Sequence, residues 1–124
     1  MAKQTSKSAE AAISDATARI ALEKLKRRLR RRFGDRLQRL VLFGSRARGE
    51  HRPESDADVA VVLRGRLADP WATKAAIIED TYDVLLETGL YVQPWPISAS
   101  ALQRPRSAAN PHLARAIARD GKAL

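Results

Sequence analysis

VLFGSRARGEHRPESDADVAVVL, residues 41–63, joins an apolar run, a glycine–serine pair, a charged interval and a second apolar run opened by two aspartates. Asp is disfavoured in strands, yet Asp56 and Asp58 stand at the mouth of a segment with the composition of a buried strand. In an extended chain these two side chains share a face. Carboxylates held side by side repel one another unless something positive lies between them. The pair therefore asks for a cation.

Outward from this stretch the elements follow in order. LQRLVLF (37–43) reads as a strand ending at Gly44, and GSRARGEHRPES (44–55) as a loop or short helical turn punctuated by Gly49 and Pro53. DADVAVVL (56–63) is a second strand, with Ala57, Val59, Val61 and Leu63 on one face and Asp56, Asp58, Ala60 and Val62 on the other. Upstream, the pattern from Ala9 to Phe33 is helical. Ile13, Thr17 and Ile20 fall on one side, Leu22, Leu25, Leu29 and Phe33 recur at spacings of three and four, and Gly34 is the expected stop.

Downstream, Asp69 caps a helix that Pro70 opens and Gly89 ends, with Trp71, Ala75, Ile78, Tyr82 and Leu85 as its expected buried stripe. A third strand over residues 90–97 contains Pro94 and Pro96, which confines it to a sheet edge. A last helix spans 111–120, between Asn110 as cap and Gly121 as stop. The order helix, strand, loop, strand, helix, strand, helix predicts an α/β fold, a small mixed β-sheet covered by helices.

Composition narrows the class. A chain of 124 residues makes one domain with a single core. We expect a disordered tail over 1–7, one domain over 8–124, and no room for a second, substrate-holding domain. Cysteine is absent, which excludes disulfides, thiolate metal sites and cysteine nucleophiles. Neither a run long enough to cross a membrane nor a signal peptide is present, so the expectation is no membrane and a cytoplasmic location. The net charge is +9, and residues 24–39 carry nine basic groups against Asp35 alone, a local +8. Such a block is either a solvated helix face or a surface for an anionic neighbour: nucleic acid, nucleotide phosphate or an acidic protein.

The motif supplies the chemistry. Glycine lets backbone N–H groups approach a triphosphate, and serine adds a hydroxyl donor. Paired aspartates offer the hard oxygen ligands of Mg²⁺, which takes one or two carboxylates together with substrate phosphates. Gly44 and Ser45, ten intervening residues, then Asp56 and Asp58 form a GSx10DxD pattern between two strands. This pattern resembles the signature of the minimal nucleotidyltransferases, small single-domain members of the DNA polymerase beta-like superfamily, over a core of residues 37–97.

The resemblance implies the polymerase beta-like nucleotidyltransferase fold. By it, Gly44 and Ser45 hold nucleotide phosphates, Arg46 and Arg48 stand within reach of them, and Asp56 and Asp58 bind catalytic Mg²⁺. It implies ATP or another NTP as substrate and, in this family, a partner protein as acceptor, often a HEPN-type toxin whose tyrosine is adenylylated. One position departs from the pattern. Where active members commonly carry a third carboxylate on the third strand, this chain has Gln93. Glutamine cannot take a proton and removes a negative charge, with Glu50, Glu54 and Glu79 as candidate substitutes.

Other polar residues carry less. His51 lies in the motif loop, and His112 is in the first turn of the last helix. Trp95, between two prolines, is open to two readings: a ring that stacks on a base, or a ring buried at a sheet edge. Three functions follow. The first is Mg²⁺-dependent transfer of a nucleoside monophosphate, AMP by expectation, to a hydroxyl of a partner toxin. The second is a degenerate nucleotide-binding antitoxin that acts by complex formation. The third is weak, nonspecific nucleic-acid binding through the arginine-rich helix.

Overall fold

The structure is a computed structural model that describes residues 14–50 and 56–124. Helix α1 runs Asp15–Phe33, β1 Leu37–Phe43, the four-residue α2 Ser45–Arg48, and β2 Ala57–Leu63. Then come α3 Pro70–Thr88, β3 Val92–Ser98, α4 Ala99–Gln103, α5 Pro111–Asp120 and the two-residue β4 Lys122–Ala123. The sheet order is β3-β2-β1-β4, with β1 antiparallel to β2 and to β4, and β2 parallel to β3. The expected mixed sheet covered by helices is present, and β3 is at an edge as its prolines require. The expected tail over 1–7, the first residues of helix 9–33 and the end of the motif loop lie outside the described residues.

Two caps are those the sequence announces: Asp69 accepts from the Ala72 N–H at 3.1 Å and Asn110 from Leu113 at 3.1 Å. Ser14, expected inside the helix over 9–33, is instead extended and caps α1, accepting from the Thr17 N–H at 3.1 Å. Each side-chain oxygen satisfies an amide that the first helical turn would otherwise leave without a partner. Gly89, at φ +83°, ends α3 with its N–H on the Leu85 carbonyl at 2.8 Å.

Two cores flank the sheet. Ala57, Val59, Val61 and Leu63 of β2 pack with Leu22, Leu25 and Leu29 of α1 and with Ile77 and Val84 of α3. On the other side Ala60 and Val62 meet Val41, Phe43 and Ile97, with Ala114 and Ile117 of α5. The alternation expected for β2 is therefore realised, with both faces apolar. A bulge between Leu37 and Arg39 shifts the alternation of β1, so that Leu37 and Leu40 share the first core.

The buried stripe expected for α3 is wrong. Trp71, Ala75, Ile78 and Tyr82 are exposed, Trp71 by 82%, and Leu85 is half-buried. Ile77, Asp80, Thr81 and Val84 face inward instead. The reason is electrostatic. Arg32 meets Asp80 at 2.7 Å and Glu79 at 3.3 Å, Arg28 meets Asp83 at 3.1 Å and Glu87, and Lys24 meets Glu87 at 3.0 Å. As the α1 numbers rise the α3 numbers fall, so the helices are antiparallel. This ladder turns α3 by about one residue's rotation, roughly 100°, from the phase its large apolar residues suggest. Ile20 of α1 is likewise exposed.

Burial sets the expected mutational response. Leu25→Ala removes a fully buried side chain and is expected to cost about 2–5 kcal/mol in urea denaturation. Ile78→Ser and Tyr82→Ser, on the outer face of α3, are expected to change stability by less than about 0.5 kcal/mol.

Candidate functional site

The antiparallel register sets Phe43, the last residue of β1, opposite Asp58. The chain then turns at Gly44, whose φ of +75° lies in the left-handed region. A Cβ at this position would sit 2.7 Å from Asp58 Oδ2. The glycine is thus needed twice, for its backbone angle and for the approach of the carboxylate. Ser45 follows as the first residue of α2, where amides lack intrahelical partners. The two halves of the motif, separated in sequence, meet at one end of the sheet.

The parallel register sets Gln93 of β3 beside Asp58. Gln93 is half-buried. Two residues on and on the same face, the Trp95 indole N–H donates to Asp58 Oδ1 at 3.2 Å. The Lys74 ammonium stands 4.4 Å from the Trp95 ring centroid, a cation–π distance. Asp56 lies just ahead of β2 and is exposed. Asp58 is thus half-buried between Gly44 and Trp95, with Gln93 beside it in register, while Asp56 is exposed.

The arginines of the motif differ in their surroundings. Arg46 is buried, with 8% of its surface exposed. Arg48 donates to Asp120 Oδ2 at 2.9 Å and to Glu50 Oε2 at 3.0 Å, which ties α2 to the end of α5. Two carboxylates already occupy this guanidinium, so Arg48 braces the motif helix. Glu50 is engaged there and Glu79 is on the α1–α3 ladder, which leaves neither beside Asp58. Glu54 and His51 lie outside the described residues. His112 is exposed in the first turn of α5. Among the described residues no three of His, Cys, Asp and Glu gather at one place, so a metal here would rest on the two aspartates and on oxygens of a substrate.

Six of the nine basic residues of the block have partners within the fold, for three of them carboxylates. Lys24, Arg28 and Arg32 form the ladder to α3. Lys26 and Arg30 donate to the carbonyls of Leu124 and Leu37, and Arg36 to those of Arg64 and Arg66. Sequence reasoning missed the link from Asp58 through Trp95 to Lys74. The alternation of β3 carried part of the signal, since Gln93 and Trp95 must share a face.

Two tests follow. Gly44→Ala is expected to displace the Asp58 carboxylate and its bond from the Trp95 indole, read as a change in tryptophan emission, while circular dichroism keeps its helical signal. The Asp120 carboxyl is held below its usual range by Arg119 and by Arg48. Its folded pKa is depressed, so its contribution to stability is full above the unfolded value, about 3.9, and is lost as pH falls through the folded value. Asp120→Asn is expected to be less stable than the parent near neutral pH, with the gap closing under acid in urea titrations.

A family model for the nucleotidyltransferase domain matches residues 22–108, more than half of the chain. No curated protein matches. Among solved structures, one described as a toxin–antitoxin with AMP-PNP is 24% identical, with a TM-score of 0.52, over 82% of this chain and 70% of that one. Another, a candidate nucleotidyltransferase from Sulfolobus solfataricus, is 16% identical, with a TM-score of 0.47, over 89% and 86% of the two chains. The first likeness agrees with the fold. With its family model spanning α1 to the loop before α5, the chain belongs to the nucleotidyltransferase-domain family.

Proposed function

We propose that the protein transfers a nucleoside monophosphate, AMP in the first instance, from an NTP to a hydroxyl of a partner protein. The carrying observation is the approach of Gly44 to Asp58, which leaves room for no side chain between the phosphate turn and the carboxylate. Asp56 and Asp58 would hold Mg²⁺, and the Gln93 carbonyl oxygen is a neutral donor beside them. Two carboxylates with hard oxygens suit this ion, which otherwise relies on substrate phosphates. When bound, the metal neutralises charge that develops on the transferring phosphorus.

The chain's own residues do the rest. Backbone amides at Gly44 and Ser45 receive phosphate oxygens, and the Ser45 hydroxyl donates to another. Trp95 fixes one Asp58 oxygen and leaves the other toward the turn. The acceptor oxygen forms a bond to the α-phosphorus as the bond to pyrophosphate breaks. Gln93 takes no proton, so the hydroxyl proton passes to the partner or to solvent. The structural neighbour described as a toxin–antitoxin with AMP-PNP supports both an adenine nucleotide and a toxin as partner, with a HEPN-type toxin as the class we place first.

Gln93 also favours a second reading, an antitoxin that binds nucleotide and partner without turnover. Incubation with Mg²⁺, ATP and the partner, read by intact mass, separates the two. Addition of one or more AMP masses to the partner, lost in Asp56→Asn, Asp58→Asn, is the expected result. Gln93→Asp, which restores a third carboxylate, is expected to raise the rate. A stable complex with no mass change under any NTP would replace transfer by binding.

A further inference from the structure

In-line displacement at phosphorus is served by one metal ion or by two about 3.5–4 Å apart. A carboxylate that bridges two ions gives one oxygen to each, and Asp58 is the residue placed to do so, between the phosphate turn and β3. Its two oxygens are not equivalent. Oδ2 faces Gly44, where a Cβ would approach it to 2.7 Å. Oδ1 accepts from the Trp95 indole N–H at 3.2 Å. Trp95 is half-buried, and the Lys74 ammonium stands over its ring, 4.4 Å from the centroid.

The indole and the ammonium act on Oδ1 in the same direction. An indole N–H is a donor only, with no lone pair to offer a metal. Lys74 draws charge from the ring face and polarises the N–H, which makes it the stronger donor. A cation at Oδ1 would have to displace that hydrogen and would then face an ammonium behind the ring. Nothing nearby compensates. Gln93, beside Asp58 in register, has a neutral side-chain oxygen. Glu50 is held by Arg48, Glu79 by Arg32, and Asp120 by Arg48 and Arg119. A single divalent ion already balances the charges of Asp56 and Asp58, and among the described residues no third carboxylate joins them.

We propose that Trp95, steadied by Lys74, restricts this site to one divalent cation by keeping Asp58 Oδ1 from a second. Trp95 acts through Asp58 and is a positioning residue. The inference rests on the metal-binding part of the proposed transferase reading and goes beyond it, since the number of ions held does not depend on turnover. It also gives a role to Lys74, whose charge is directed at the Trp95 ring.

The test is electron paramagnetic resonance of Mn²⁺ bound to the full chain together with α,β-methylene-ATP. Two ions about 3.5–4 Å apart couple their spins, whereas a lone ion keeps an uncoupled spectrum. We expect the lone-ion spectrum from the parent at saturating Mn²⁺. Trp95→Phe keeps a ring under Lys74 and removes the N–H. In this variant a coupled pair is expected, with the second ion bound about tenfold or more tightly than in the parent, the factor for one hydrogen bond to a charged group. Lys74→Met is expected to shift the second ion in the same direction by less, with unchanged melting. A coupled pair in the parent, or lone-ion spectra from Trp95→Phe and Lys74→Met alike, would overturn the proposal. A bound Mn²⁺ signal that Asp56→Asn, Asp58→Asn leaves intact would remove the metal reading and this inference together. A lone-ion spectrum from a parent that transfers no nucleotide, with the coupled pair in Trp95→Phe, would leave the inference standing and remove transfer alone.

Discussion

Residue 44 cannot bear a side chain. A single added carbon would stand 2.7 Å from a carboxylate oxygen of Asp58, in a backbone conformation that L side chains rarely adopt. Everything else at this end of the sheet is arranged around that contact. The antiparallel pairing of β1 with β2 places the turn opposite the carboxylate, and the parallel pairing of β2 with β3 sets Gln93 and Trp95 alongside. A slip of one residue in either register would send these side chains to the opposite core. The second half of β2 resists such a slip, because Val59, Val61 and Leu63 fill one core while Ala60 and Val62 fill the other.

Charge acts locally in this chain. Between α1 and α3 it acts pairwise, over distances of 2.5 to 3.3 Å, and sets the rotation of α3. Exposed pairs of this kind stabilise little individually, but choosing between two apolar stripes of similar hydrophobicity requires only a small bias. Lys24 and Arg28 together hold the Glu87 carboxyl below its ordinary range. The consequence of the ladder is a redistribution. Acidic residues of α3 are spent on α1, so four of the five large exposed apolar residues among the described ones lie on the outer face of α3.

Much of the architecture was legible because its signals were local. β1 and α5 have the expected bounds, and the Asp69, Pro70 and Gly89 punctuation marks α3 without ambiguity. The GSx10DxD spacing led to two segments that the fold does bring into contact. What was not legible depended on which face of an element meets which neighbour. Ile77 and Ile78 are adjacent in sequence, so α3 offers two phases that hydrophobicity cannot rank. The spacing of Asp80, Asp83 and Glu87 against Lys24, Arg28 and Arg32 held the answer, but only once the two helices were known to touch. The bond from Trp95 to Asp58 was hidden in the same way, since strand order decides it. So was the engagement of Arg48, a motif residue that the distant Asp120 draws aside.

The outer strands have a bearing on how other molecules can attach. Pro94 and Pro96 stand two apart in β3, so both missing amide donors fall on the same side of the strand. The ladder to β2 occupies the inner side, which leaves the outer edge short of donors. At the opposite margin, β4 covers β1 with two residues, and the Leu124 N–H reaches the Leu40 carbonyl at 3.0 Å. Neither margin offers a long unpaired template for another strand. The sheet is thereby guarded against runaway edge-to-edge growth, and strand addition is a poor route for a visitor. Recognition has to be written in side chains.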